Sequence, residues 1–334
     1  MRLAFDTRPS TGGGGIGRYA TCLLRALRGT AGEQIDVLET HKPRQADVYH
    51  SPWMQGAMLR SPCPMVVTIH DLAALKRRSE HLRTTALPRL KHLAVQRAAE
   101  VIVPTRAVAE DAIARLQLDS ERISVIPEAP DPALTACSEA EIASARERHK
   151  LPERYLVWVG GMQRPDPRKH VAKLAAAPRE LPLVLVGRAG QWARELAGVT
   201  LTGQVSDRDL AAIYGGAHAL VLPSRDEGFG LPAVEALACG TPVAAFDQPA
   251  LREVLAGKAT LVAQGDFAGL MAAAERLQRP APAPPSWTWE DAAEATWNVY
   301  RRAAARRDEA CVAISASRIS RSSRKGGKAR PAAS

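Results

Sequence analysis

The chain has 334 residues and a formal net charge of +10, which is long for one domain, so two domains sharing a cleft are expected. Ten of its 45 Lys and Arg but only two of its 35 Asp and Glu fall within residues 301–334, so the basicity belongs to a tail, the body is nearly neutral, and no nucleic-acid partner is expected. No run of about 18 uncharged apolar residues exists to span a membrane, the start MRLAFDTRPS lacks the apolar segment of a signal peptide, and the five scattered cysteines fit a reducing cytoplasm without a zinc site.

In chain order, Arg2 to Asp6 is a short apolar strand. Gly12 to Arg28 turns from a glycine loop into a helix whose apolar positions are Ile16, Ala20, Leu23, Leu24 and Leu27. Glycines 12, 14 and 17 spell G-x-G-x-x-G, and Glu39 stands at the distance of a ribose-binding acid in a nicotinamide site. Thr7 to Thr11 separate that loop from its strand, so the favoured reading is a glycine loop, Gly14 and Gly15 included, facing a diphosphate across a cleft. Ala46 to His50 and Met65 to Ile69 are further strands. The second ends at His70-Asp71, where a histidine points into the crevice at the carboxyl ends of parallel strands; Asp71 fits a cap.

Leu82 to Ala99 reads as a helix carrying Arg83, Arg89, Lys91, His92 and Arg97, either a solvated face or a patch for a lipid phosphate or membrane. A strand at Val101 to Val103, a helix at Arg106 to Leu116 and a strand at Ile123 to Ile126 follow, before PEAPDP breaks regular structure at Pro127 to Pro132. The chain restarts with the strand Tyr155 to Val159 and the loop GGMQRPDPRKH at Gly160 to His170. A lysine and an arginine in such a loop neutralise a diphosphate, the arginine as a fork and the lysine as a point charge. Strands at Leu183 to Val186, Val199 to Thr202, His218 to Leu222, Pro242 to Asp247 and Thr260 to Ala263 alternate with helices, which predicts a doubly wound parallel sheet in each half. Arg188, after the first of these, sits either near the phosphates or in solvent. PAPAPP at Pro280 to Pro285 is a stiff linker, and Trp287 and Trp289 open a last helix.

The most informative stretch is PSRDEGFGLPAVEALACGTPV, Pro223 to Val243. Pro232 suits the first turn of a helix. Glu227 in the loop and Glu235 one turn into the helix then flank the amides of Phe229, Gly230 and Leu231, which favour an anion between two carboxylates. A phosphate on amides with a hydroxyl-binding acid at each end describes a sugar nucleotide.

At these residues the chain resembles the retaining glycosyltransferases of family 4, whose signature is two glutamates eight positions apart around a GFG-type loop. D-x-R followed by GGIGRY near the start, VTIHDL at residues 67–72, GFGLP and EALACGTPV are all similar to family segments. The resemblance implies a GT-B fold: an acceptor-side Rossmann-like domain over 1–140, a nucleotide-sugar-binding one over 151–279, and a linker and helix over 280–307 returning to the first. A basic, disordered tail over 308–334 is expected from its composition, either solvated or touching an anionic membrane.

By the same resemblance, Glu227 holds hexose hydroxyls, His70 lies beside the donor sugar, Glu235 binds the ribose, Lys169 meets the diphosphate, and the backbone around Val205 reaches the base. The family's arginine normally follows the first glycine, where this chain has Gly161, so Arg164 or Arg168 must substitute. The implied reaction transfers a hexose from a nucleotide-diphosphate sugar to a hydroxyl with retention, without cofactor or metal ion, in the cytoplasm or peripherally on the inner membrane face. GDP-mannose is the favoured donor, and the acceptor is left open, a lipid-linked one included. The rival readings are a catalytically silent sugar-nucleotide or membrane-binding module of the same fold and, more weakly, a nicotinamide-dependent oxidoreductase.

Overall fold

The computed structural model describes residues 1–12, 14–73 and 86–306. Arg83, the side chain of Arg89 and the tail over 308–334 lie outside the described residues. Two parallel sheets, each of six described strands, carry the architecture.

The first sheet comprises β1 (Arg2–Phe5), β2 (Asp36–Glu39), β3 (Val48–Ser51), β4 (Met65–Thr68), β5 (Glu100–Val103) and β6 (Ile123–Val125), in the order β2-β1-β3-β4-β5-β6. Its helices are α1 (Gly15–Thr30), α2 (Ala86–Gln96) and α3 (Arg106–Leu116). After α4 (Glu139–His149), the second sheet comprises β7 (Leu156–Val159), β8 (Leu183–Val186), β9 (Val199–Gly203), β10 (Ala219–Leu222), β11 (Val243–Phe246) and β12 (Thr260–Val262), in the order β12-β11-β10-β7-β8-β9. Between and after these strands run α5 (Val171–Ala176), α6 (Gln191–Arg194), α7 (Asp207–Gly216), α8 (Leu231–Ala238), α9 (Pro249–Leu255) and α10 (Phe267–Arg276). A last helix, α11, covers residues 289–306.

The central strands read as unbroken apolar runs because helices cover both faces of a parallel sheet: β8 and β10 are buried at every position. In α1 the stripe Ala20, Leu23, Leu24 and Leu27 packs against Leu3 and Phe5 of β1. Ile16, at the cleft end of the same helix, stays 37% exposed.

Helix α4, between the two expected domains, packs on the second. Ser138 and Glu141 form a reciprocal cap at its start, Ile142 lies against Gly215 and Gly216 of α7, and Arg148 and His149 reach Asp209. Helix α11 packs on the first domain. Trp289, Trp297, Tyr300 and Ala303 complete the apolar core around Leu3 and Leu23, and Arg302 and Arg306 reach the buried Glu100 at 3.2 and 3.0 Å. On α2, Lys91 donates to the Gln55 carbonyl at 2.6 Å and Arg97 to that of Leu59 at 2.9 Å, so these two cations tie down a loop of their own domain.

Candidate active site

Strand β10 ends in the buried Leu222, and Pro223 to Gly230 then turn the chain into α8. Gly230 caps that helix at φ +91°, a left-handed conformation natural to glycine; Pro232 falls in the first turn, where a missing N–H leaves no intrahelical bond unmade. The loop touches the first domain through Gly228. Thr105 Oγ1 donates to the Gly228 carbonyl at 3.0 Å, and a Cβ on Gly228 would overlap the His70 carbonyl oxygen. The two domains therefore meet at the residue after Glu227.

Glu227 is half-buried at the mouth of this contact, and its backbone N–H donates to Gln248 Oε1 at 3.1 Å. Burial raises its carboxyl above the usual range, with the Ser224 hydroxyl, Lys169 and Arg168 pulling the other way. Lys169 leads into α5 and lies with its amine 5.8 Å from the Trp158 ring centroid. Phe229 is buried against Trp287, ring centroids 5.9 Å apart, so its backbone rather than its ring faces the cleft. Leu231 approaches the glycine loop from across the cleft, 3.9 Å from the position of a Cβ on Gly15. Gly14, at φ +83°, caps α1 there.

His70 lies in a polar enclosure. Its Nδ1 is 2.9 Å from Glu128 Oε1, and its Nε2 is 2.9 Å from the Pro52 carbonyl, to which only an N–H can donate. Burial disfavours the imidazolium, but the Glu128 carboxylate and the Pro52 carbonyl outweigh it, and the pKa is raised. Both ring nitrogens of His70 are thus engaged, and the edge of Tyr19 packs on it at 4.5 Å between centroids. Asp71 accepts from the Ala73 N–H, as a turn-capping aspartate does.

The arginines divide clearly. Arg168 is bound by Asp166 at 2.9 Å and by Asp71 of the other domain at 3.2 Å, and Arg164 stands exposed in the rim of an open depression of about 440 Å³ with Gly161 and Gln163. One turn into α8 a third arginine appears. Arg18, from GGIGRY, reaches across the cleft to Glu235 at 3.1 Å and Asp207 at 2.6 Å, while Asp131 holds it at 2.8 Å on its own side. Glu235 is buried, with Tyr214 donating to its second oxygen at 3.4 Å. Val205 is partly buried one residue before Ser206, the cap of α7, so the segment at 203–205 borders the same end of the cleft as Asp207 and Arg18.

The site therefore has two ends on one helix start: Glu227 with Lys169, and Glu235 with Arg18. A cavity of about 320 Å³ opens on the Glu227 side between the domains, lined by Asp71, Ala107, Glu110, Asp226 and Gln248 among others. Glu253 of α9 accepts from the Arg106 and Ala107 N–H groups at 2.8 and 3.2 Å and so caps α3 of the other domain. Sequence reasoning passed over Arg18, Glu128, Gln248 and Glu253 as site residues. Arg18 and Glu128 lie inside the quoted segments GGIGRY and PEAPDP, but their partners are far away in the chain. Glu39, the ribose acid of the nicotinamide reading, is exposed at the end of β2, paired with Arg28 at 2.5 Å. Among the described residues no group of three His, Cys, Asp or Glu is placed to hold a metal ion, and no helix is long and apolar enough to cross a membrane.

Comparison with known proteins agrees with this geometry. Residues 1–129 match the family described as "Glycosyl transferase 4-like domain" and residues 153–279 the one described as "Glycosyl transferases group 1". The D-inositol 3-phosphate glycosyltransferase of Mycobacterium avium is 30% identical over 307 residues, covering 79% of this chain and 71% of that protein. The 2-deoxystreptamine glucosyltransferase of Streptomyces kanamyceticus is 31% identical (66% and 62%), and the O-antigen chain mannosyltransferase RfbU of Salmonella typhimurium 26% identical (64% and 60%). Against other mycobacterial D-inositol 3-phosphate glycosyltransferases the chain spans about half their length, 52%. Among solved structures, Anabaena HepE in complex with UDP and glucose superposes with a TM-score of 0.65 at 18% identity, covering 95% of this chain and 100% of that one. Sucrose-phosphate synthase of Thermosynechococcus elongatus gives 0.65 at 21% identity, with the same coverage. With both halves matched in order and two facing doubly wound sheets in place, the chain belongs to the group 1, family-4-like glycosyltransferases and has their GT-B fold.

Proposed function

We propose that the chain transfers a hexose from a nucleotide-diphosphate sugar to a hydroxyl acceptor with retention of anomeric configuration, with GDP-mannose the favoured donor and cell-envelope glycan or glycolipid synthesis the setting. The observation that carries this is the placement of Glu227 and Lys169 at one end, and Glu235 at the other, of the amides that open α8. The diphosphate lies on those amides, its charge met by Lys169 and the helix dipole. The hexose hydroxyls hydrogen-bond Glu227, and the ribose hydroxyls Glu235. His70, with both ring nitrogens engaged, contributes a fixed ring and its backbone beside the sugar rather than a mobile proton.

The acceptor enters through the cavity beside Asp71 and Gln248. Its hydroxyl attacks the anomeric carbon from the face the diphosphate leaves. An oxygen of the departing phosphate takes the proton, so no side chain needs to act as general base. Charge grows on the phosphate as the glycosidic bond breaks, and Lys169 and the amides stabilise it there. No cofactor or metal ion is invoked, the reaction is assigned to the cytoplasm or the inner membrane face, and the basic tail is assigned to contact with anionic lipid.

The test is a thermal-shift panel of GDP-, UDP- and dTDP-sugars, because a ligand that binds the native state raises the melting temperature by mass action. The donor should be followed by transfer, and by slow hydrolysis when acceptor is withheld; a protein stabilised by sugar nucleotides that neither transfers nor hydrolyses them is the silent module instead. Glu227→Ala should abolish transfer while leaving GDP or UDP binding nearly intact, since the bare nucleotide lacks the sugar hydroxyls.

A further inference from the structure

We propose that Arg18, a residue of the first domain, is a positioning residue for the nucleoside end of the donor site: it holds the Glu235 carboxylate in place, so this end is complete only while the two domains are closed. The inference rests on the assignment of Glu235 to the donor ribose. Its basis is geometric. Glu235 sits on α8 of the second domain, buried at 3% exposure. Its Oε1 has no hydrogen-bonding group in place, only the Arg18 Nε at 3.1 Å as an ion pair. That oxygen, covered in the ligand-free protein, therefore keeps lone-pair directions unfilled while its charge is balanced.

Arg18 is itself fixed from both sides of the cleft. Asp131 of the first domain holds it at 2.8 Å and Asp207 of the second at 2.6 Å. Asp131 is anchored in turn by the Ala133 N–H at 3.0 Å and by the Cys22 thiol at 3.3 Å. The guanidinium thus joins three carboxylates from separate elements, and one of the three is the acid assigned to the ribose.

The groups facing Glu235 show what Arg18 prevents. Asp131 follows β6, Asp207 and Tyr214 lie on α7, and Cys239 ends α8; Arg18 is the cation that opposes the effect of these groups on the Glu235 carboxyl. Burial pushes that carboxyl up to about 7, Arg18 opposes the rise, and Asp131 and Asp207 add to it. Without Arg18 a proton binds more readily, and a neutral carboxyl accepts a hydroxyl less strongly than a carboxylate. Opening the cleft separates Arg18 from Glu235 in the same way a mutation would. Nucleoside binding and closure are therefore one event, and the glycine loop of the first domain contributes to donor affinity through its arginine.

Two measurements on the full chain test this. In the ligand-free protein, the side-chain carboxyl ¹³C signal of Glu235, assigned by its loss in Glu235→Gln, is titrated in wild type, Arg18→Ala and the milder Arg18→Lys. Arg18→Ala should raise the midpoint by at least one pH unit, and Arg18→Lys by less. Affinity for GDP and for UDP is then measured from pH 6 to 9. Binding weakens as pH falls through the Glu235 midpoint, so Arg18→Ala should displace the profile upward and weaken binding roughly tenfold at neutral pH, whereas Glu235→Gln should flatten it. Equal titration midpoints in wild type and both Arg18 variants would overturn the proposal, as would an Arg18→Ala affinity loss of the same size at every pH. A wild type that binds neither nucleotide at any pH counts against the donor reading; the carboxyl titration still judges Arg18.

Discussion

If Lys169 and Glu235 act on different parts of one donor, as proposed, their kinetic signatures should separate. On the proposed reading Lys169 meets the diphosphate, where charge changes during reaction, so Lys169→Ala should lower kcat as well as affinity, by about 2 to 4 kcal/mol of transition-state stabilisation. Glu235 is assigned on the same reading to the ribose, whose charge does not change, so Glu235→Ala should chiefly raise KM. Steady-state kinetics on both variants, with circular dichroism to confirm folding, decide it; a kinetically silent Lys169→Ala ends this placement. A second residue-scale prediction concerns His70, whose pKa is raised in the fold. Its ion pair with Glu128 stabilises fully below the unfolded value of about 6.5 and is lost as pH rises through the folded pKa. Glu128→Gln should therefore cost about 1.5 to 3 kcal/mol at pH 5.5 and clearly less at pH 9, by urea denaturation at both. The two acids of the candidate site could be proposed from sequence because they belong to one local segment, eight positions apart on one loop and helix. Arg18 could not be, because its partners lie 113, 189 and 217 positions further along the chain, and only the packed fold brings them together.

At the scale of elements, the turn from β10 into α8 works because Gly228 lets two backbones touch. Gly228→Ala would drive a methyl into the His70 carbonyl, which is backbone and cannot swing aside. We expect the domains to be wedged apart and the Thr105 bond to Gly228 to be lost. Turnover should fall at least tenfold, while unfolding cost stays near about 1 to 3 kcal/mol; small-angle scattering should show a larger radius of gyration, and an unchanged radius with unchanged turnover refutes the wedge. Most strands were legible to within a residue at each end, since buried parallel strands are apolar throughout. Two elements escaped for physical reasons. β2, Asp36–Glu39, is an edge strand with exposed ends and only partly buried Val37 and Leu38, too short for alternation to register. α4 buries only Ile142 and Ala145 among polar neighbours, so periodicity is faint there, although the Ser138 to Glu141 cap was present as a start signal.

The whole molecule is two domains tied by a return of the chain, and the ties differ in kind. The cleft side is held by polar contacts, Arg18 with Glu235, Arg168 with Asp71 and Glu253 with the α3 amides, all of which water can replace when the cleft opens. The far side is held by the apolar face of α11, which stays with the first domain through Trp289, Trp297 and Tyr300. The basic residues beyond it lie outside the described residues. Truncation after Arg307 should leave turnover on a soluble acceptor unchanged while weakening binding to anionic vesicles in a salt-sensitive way; equal vesicle binding with and without those residues would show the tail to be merely solvated. The return of α11 also sets an order of assembly during synthesis. The second domain has its sheet and helices as soon as residue 276 has emerged, whereas the first domain, although made earlier, lacks part of its core until residues 289–303 follow. The half that is translated first is thus the half that finishes last, and a ribosome stalled within the linker would leave an exposed apolar face on the glycine-loop domain for chaperones to cover.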